Sequence, residues 1–212
     1  MSNQGGLRER KKEATRQAIS DVATELFLER GFDNVSVAEV AEAAEVSRMT
    51  VFNYFPRKED LFFDREEESR QMLRAAFAER PAGEAPIATL RKLMHSLADR
   101  VHPFAKFTDA TAKFWRTVAE SPALSARARE MRDELIDDLA TVLAAAIKRP
   151  LADADARLAA SMVVTALTVA YAEGLREHKA RRSAATSRET FLRIMERSFS
   201  GIAIMLKDTP YA

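Results

Sequence analysis

The chain has 212 residues, 47% of them apolar and 31% charged, which suits one large or two small soluble domains with a real core. It holds no cysteine, which excludes disulfides, cysteine-ligated metals and thiol chemistry. The net charge of +1 names no partner, although four bases stand against one acid in Arg8–Lys12 while residues 1–58 as a whole balance nine bases with nine acids.

Glycine and proline are scarce and fall where helices should stop, and no run alternates apolar with polar residues. The expectation is an all-α fold of about nine helices. The first runs from about Arg8 to Arg30, with Ile19, Val22, Ala23, Leu26 and Phe27 at helical spacing and Gly31 as C-terminal cap. The second follows Ser36, which forms a capping box with Glu39 and turns Val37, Val40, Ala41 and Ala44 inward. The third follows Ser47 and runs to about Phe55, where Pro56 stops it. Longer helices are expected near 58–79, 86–101, 103–119, 122–148, 154–179 and 188–207. The breaks are Pro81–Pro86, Pro103, Ser121–Pro122, Pro150–Asp153 and the basic stretch Arg176–Arg188. That stretch reads as a flexible, solvated connection before it reads as a second nucleic-acid patch.

The segment 36–61, SVAEVAEAAEVSRMTVFNYFPRKEDL, has the spacing of a helix-turn-helix. Ala41 and Ala44 are small where two helices cross, and Val46 tucks the turn into the core. Ser47 opens a recognition helix whose first exposed side chains are Arg48 and Met49. Arginine can grip guanine with two hydrogen bonds. Thr50, Asn53, Tyr54 and Lys58 offer donors at about one-turn spacing, which suits phosphates beside a groove. Three small helices packed for structural reasons alone would show the same periodicity.

Residues 8–61 also resemble the DNA-binding domain of TetR-family regulators. The matching residues are the basic first helix (Arg8, Arg10, Lys11, Lys12, Thr15, Arg16), Leu26-Phe27, Gly31-Phe32, Ser36-Val37, Val40-Ala41, Ala44, Val46-Ser47, Thr50, Tyr54-Phe55, Lys58 and Leu61. The resemblance implies a two-fold dimer on a near-palindromic double-stranded operator, released when a small molecule enters the C-terminal part. It puts Arg48, Met49, Thr50, Asn53 and Tyr54 on DNA, Thr15 and Lys58 on phosphates, and Ser36 and Ser47 at the same surface. Three positions depart from the family pattern. Glu45 stands where glycine is usual, and at positive φ it would cost about 1 kcal/mol. Phe52 replaces a common tyrosine and loses one hydroxyl contact, and Ala38 replaces what is in some members a longer base-reading side chain.

The division expected is residues 1–57 for the helix-turn-helix domain and 58–212 for a ligand-binding and dimerisation domain. The helix through 154–175 is apolar on nearly every side, so it needs burial all round. A partner subunit would supply one side through a four-helix bundle using Leu158, Met162, Leu167, Tyr171, Phe191, Met195, Phe199 and Ile202. A monomer that buries both helices internally is the alternative. A ligand cavity would draw on Met94, Phe104, Phe107, Phe114, Trp115, Met131 and Met162, each of which could instead be ordinary core. Its apolar lining favours a hydrophobic effector. His95, Asp99 and His102 share one helix face, a spacing open to a metal but commoner as a solvated row, and no metal or cofactor is expected. Phosphate-loop, GxSxG and HExxH motifs are missing, so no enzyme is expected. Met1–Gly6 lacks the apolar run of a secretory signal. The run Leu158–Ala172, broken by Ser161, Thr165 and Thr168, falls short of the roughly 18–20 residues of a membrane span. A cytoplasmic protein with no membrane partner is expected.

Overall fold

The computed structural model describes residues 3–100, 102 and 105–212. Among them the chain is all-α, with nine helices and no strand. They are α1 (Asn3–Arg30), α2 (Val37–Ala43), α3 (Arg48–Tyr54), α4 (Glu66–Ala78), α5 (Pro86–Asp99), α6 (Asp109–Glu120), α7 (Pro122–Ala146), α8 (Ala154–Arg181) and α9 (Ala184–Met205). Short 3-10 turns at Phe32–Asn34 and Glu59–Leu61 complete the N-terminal part.

Local chemistry explains most boundaries. Gly31, at φ 85°, ends α1 in a conformation that a side chain would resist. The Ser36 side chain accepts from the Glu39 N–H while the Glu39 carboxylate accepts from the Ser36 N–H, a complete capping box. Pro86 sits in the first turn of α5, where its missing N–H costs nothing. Four starts differ from expectation, α9 among them, which begins at Ala184 and not near 188. α1 begins earlier, at Asn3; α4 begins at Glu66, because the 3-10 turn Glu59–Leu61 intervenes; and α6 begins at Asp109. The expected loop 176–188 is mostly helix. Arg182, at φ 52°, closes α8 by donating its N–H to the His178 carbonyl at 2.8 Å, and Ser183 caps α9 through the Thr186 N–H. The basic side chains His178, Lys179 and Arg181 belong to the last turn of α8, where cations are favoured by the exposed carbonyls.

The chain forms two compact units, Met1–Glu67 with Lys113–Arg127, and Glu68–Ala112 with Ala128–Ala212. The division therefore differs from the 57/58 boundary expected from sequence. In the first unit Ile19, Ala23, Phe27, Val40, Val51, Phe55 and Leu61 are buried. Phe27, Phe32, Phe62 and Phe114 form an aromatic cluster in which Phe62 and Phe114 stack at 4.3 Å. Arg127 pairs with Asp60 at 3.0 Å, and Ser121 donates to Asp33 at 3.0 Å.

The second unit is built on an antiparallel hairpin of α8 and α9. Ala156, Ala159, Ala160, Val163, Val164 and Ala170 of α8 and Phe191, Met195, Phe199 and Ile202 of α9 are buried in one core with Leu90, Leu139, Leu143 and Phe107. This corrects the expected dimer surface. Phe191, Met195, Phe199 and Ile202 are filled positions of the subunit's own interior, because the small alanines of α8 leave room for large side chains from α9. The apolar side chains left outside are Leu158 (48% exposed), Met162 (36%) and Val169 (48%) on α8, with Ile204 and Met205 at the end of α9. Leu167 and Tyr171 are half-buried. Among the described residues α8 is also the one helix long and apolar enough to cross a membrane by length and composition. The core helix of a soluble protein meets the same criterion.

Candidate nucleic-acid interface

The segment after Ser36 folds as two short helices joined by a tight turn. Ala44 donates to the Val40 carbonyl at 2.9 Å and Val46 to the Ala41 carbonyl at 2.9 Å, which fold the turn back onto α2. Glu45 occupies the left-handed region at φ 55°, where glycine would be relaxed. Ser47 then caps α3. Its hydroxyl accepts from the Thr50 N–H at 3.0 Å and lies 2.8 Å from the Thr50 hydroxyl.

Val51 and Phe55 anchor α3 in the core of the first unit. The Arg16 guanidinium lies 5.0 Å over the Phe55 ring and donates to the Asp64 carbonyl at 2.9 Å. Ser20 donates to the Leu61 carbonyl at 3.2 Å. These contacts fix the helix from behind and leave its other face open. Arg48, Met49, Phe52 and Asn53 are exposed there, and Thr50 and Tyr54 are half-buried at its margin. Arg48 and Asn53 make no side-chain hydrogen bond or ion pair among the described residues. The face combines a guanidinium, an amide and two large apolar groups, a set matched to base edges.

Lys58 does not join this face. Its ammonium donates to the Phe32 carbonyl at 2.6 Å and lies 4.1 Å from the Phe32 ring centroid and 5.5 Å from that of Phe27. Burial pushes it below the usual lysine value, against the opposing pull of Asp33, Glu59 and Glu39. The expected phosphate contact is corrected to a structural one: the lysine closes the end of the aromatic cluster and satisfies a carbonyl. The hydroxyls of Ser36 and Ser47 serve as caps, and Thr15 donates to the Lys11 carbonyl at 3.0 Å within α1. The Arg8 side chain lies outside the described residues. Sequence reasoning missed the buttress from Arg16, which nothing short of the fold pairs with Phe55.

The residues expected to line a ligand cavity fall in both compact units. Phe114 and Trp115 belong to the first unit, where Phe114 stacks on Phe62. In the second unit Phe107 is buried against Tyr171 and Phe191 at 5.1 and 5.9 Å. A Cβ on Gly174 would stand 2.4 Å from its ring, so that glycine is the seat of the phenylalanine. Met162 is on the exposed face of α8, Met94 and Met131 are half-buried, and Phe104 lies outside the described residues. The row His95, Asp99 and His102 is also split. His95 pairs with Glu196 at 2.6 Å and His102 with Glu68 at 3.3 Å. Glu196 is held below the usual carboxylate range first by Arg91 and then by His95. Beside it runs an open groove of about 550 Å³ lined by Arg91, Lys92, His95, Ser96, Asp99 and Arg100. Among the described residues no three His, Asp or Glu side chains are placed to hold a metal.

Residues 19–64 match the family model described as bacterial regulatory proteins, tetR family. The chain is 32% identical over 146 residues to the HTH-type transcriptional regulator TcmR of Streptomyces glaucescens, a match covering 68% of this chain and 65% of that protein. The match thus spans just under two thirds of that relative's length. Among solved structures, a putative TetR-family transcriptional regulator from Mesorhizobium loti superposes with a TM-score of 0.57 at 20% identity, covering 92% of this chain and 97% of that one. A complex of SmeT with triclosan superposes with a TM-score of 0.57 at 16% identity, covering 89% and 91%. These two likenesses concern the fold.

Proposed function

Because the chain belongs to the TetR family of bacterial regulatory proteins, we propose that it is a cytoplasmic, ligand-responsive transcriptional repressor. It binds a palindromic operator as a homodimer and leaves it when a small hydrophobic molecule occupies the C-terminal part. The observation that carries this reading is the open face of α3, where Arg48 and Asn53 stand unpaired among the described residues on a helix locked from behind. Rigid presentation of donors on a short helix is what major-groove reading requires.

The unit containing α1 to α3 reads DNA, through Arg48, Met49, Thr50, Asn53 and Tyr54, with Thr15 and the capping serines Ser36 and Ser47 beside the phosphates. The other unit dimerises and senses. Dimerisation uses the exposed stripe Leu158, Met162 and Val169, joined by Ile204 and Met205, whereas Leu167 and Tyr171, expected at the same surface, lie on the opposite side of α8 and pack against the subunit's own core. A row of large apolar side chains facing water on an otherwise packed hairpin is the surface that a second copy would cover.

Regulation is a population shift. Two recognition helices about 34–36 Å apart match successive major grooves. A ligand that favours a dimer with another spacing lowers operator affinity by its differential affinity for the two states. α4, α6 and α7 each have residues in both compact units, which supports a mechanical route for that coupling. That SmeT was solved with triclosan supports a small aromatic or hydrophobic effector.

The test is selection of bound fragments from genomic DNA by the purified chain, followed by a screen for molecules that dissociate the best complex. Arg48→Ala should weaken that complex by about 1–3 kcal/mol and relax preference at one position of each half-site. Unchanged affinity and unchanged preference would remove Arg48 from base reading. Ligand-insensitive binding would leave a DNA-binding protein without the sensing role.

A further inference from the structure

The open face of α3 carries more apolar surface than hydrogen-bonding chemistry explains. Met49 is 70% exposed and Phe52 is 47% exposed, on a helix whose inward residues Val51 and Phe55 are both fully buried. At 100° per residue Met49, Phe52 and Asn53 share one side of α3, with Asn53 one turn beyond Met49. Phe52 has no hydroxyl, so whatever it touches it touches through its ring. On the major-groove edge of DNA the apolar group is the C5-methyl of thymine.

Resting on the DNA-binding reading above, we propose that Met49 and Phe52 are specificity residues that read thymine methyl groups. The half-site then carries thymines under these two side chains. Asn53 lies between polar and apolar neighbours and is suited to the N6 and N7 edge of an adenine, so the three together select A·T pairs beside the base pair that Arg48 reads. The exposed sulfur-bearing chain and the ring gain their burial on binding, which explains why a soluble chain keeps two large apolar groups in water at this helix.

The experiment uses the full chain and a duplex selected from random DNA. Each thymine of one half-site is replaced singly by deoxyuridine, which removes the methyl and keeps the base pairing. One or two positions should each lose about fourfold in affinity, the factor that burial of one methyl-sized group is worth. The loss at a given position should vanish in Met49→Ala or in Phe52→Ala, whichever side chain covers it. Both side chains are at the surface, so the variants keep their helical signal. The proposal is overturned if no uracil substitution weakens binding. It is equally overturned if the same loss persists in both variants, because the methyl would then act through DNA shape. Failure to select any preferred duplex would instead sink the DNA-binding reading itself, and that outcome is distinct from a selected duplex insensitive to uracil.

Discussion

α3 and α8 both leave large apolar side chains in water, yet they are held in place by opposite means. α3 is seven residues long and too short to persist alone. It is fixed by its ends, with Ser47 capping one and Phe55 buried at the other, and by Arg16 from behind. α8 is 28 residues long and apolar on nearly every side through 154–175, and it is fixed along its length by α9. The exposed groups on α3 are thus presented by a local device, whereas those on α8 are what remains after α9 has taken the other side. A short capped helix shows its working face in sequence; a long apolar helix shows it only when its partner is known.

The largest expected effect tests which face of the α8–α9 hairpin is interior. Phe199→Ala should cost the subunit about 3–5 kcal/mol in urea unfolding, since the ring is fully buried. Leu158→Ala should change subunit stability little while shifting the dimer–monomer balance seen by sedimentation. If Phe199→Ala only dissociated a dimer, the two faces would have to be exchanged. Next in size is Gly174→Ala, whose new Cβ meets the Phe107 ring at 2.4 Å. Overpacking there should cost about 1–3 kcal/mol, more than the helix propensity that alanine brings. A stabilised variant would show that Phe107 is free to move.

On the N-terminal side the effects are smaller. Glu45→Gly should raise the melting temperature by relieving a left-handed residue, a gain of about 1 kcal/mol, without changing the helical content. A loss would mean that the turn is set by its neighbours and not strained by Glu45. The smallest effect is in acid. The Glu39 carboxyl is held at about 2, below its ordinary 4.5, first by the Ser36 N–H and then by Arg30 and the Ser36 hydroxyl. Folding therefore favours the ionised form. That contribution is whole above about pH 4.5 and is lost as the pH falls toward about 2. Stability measured against pH should lose a small step in that window in Glu39→Gln. An unaltered profile would show that the capping box does not set it.

Much of the recognition segment was legible because its signals are local. Ser36, Glu39, Ser47 and Pro56 mark helix ends by chemistry that acts over three or four residues. The signal at Glu45 was the glycine usual at that position in the family it resembles, and the structure puts its φ at 55°. Lys58 was misread because a lysine just after a recognition helix is an obvious phosphate ligand, and only the arrival of Phe27 and Phe32 beside it shows an inward ammonium. Arg176–Arg188 was misread because dense positive charge suggests a loop, although cations at a helix C-terminus stabilise the helix.

The order of amino acids by itself determined the all-α class and the caps and exposed face of α3, because capping and periodicity act between near neighbours. Tertiary structure alone decided which apolar groups became interior. Phe191, Met195, Phe199 and Ile202 fill the space left by the alanines of α8, while Leu158, Met162 and Val169 stay outside. Phe114 joined the aromatic cluster of the first unit by stacking on Phe62. An apolar side chain is equally content in any close-packed interior, so its own chemistry names burial but not the neighbour, and the neighbour is set by helices distant in the chain.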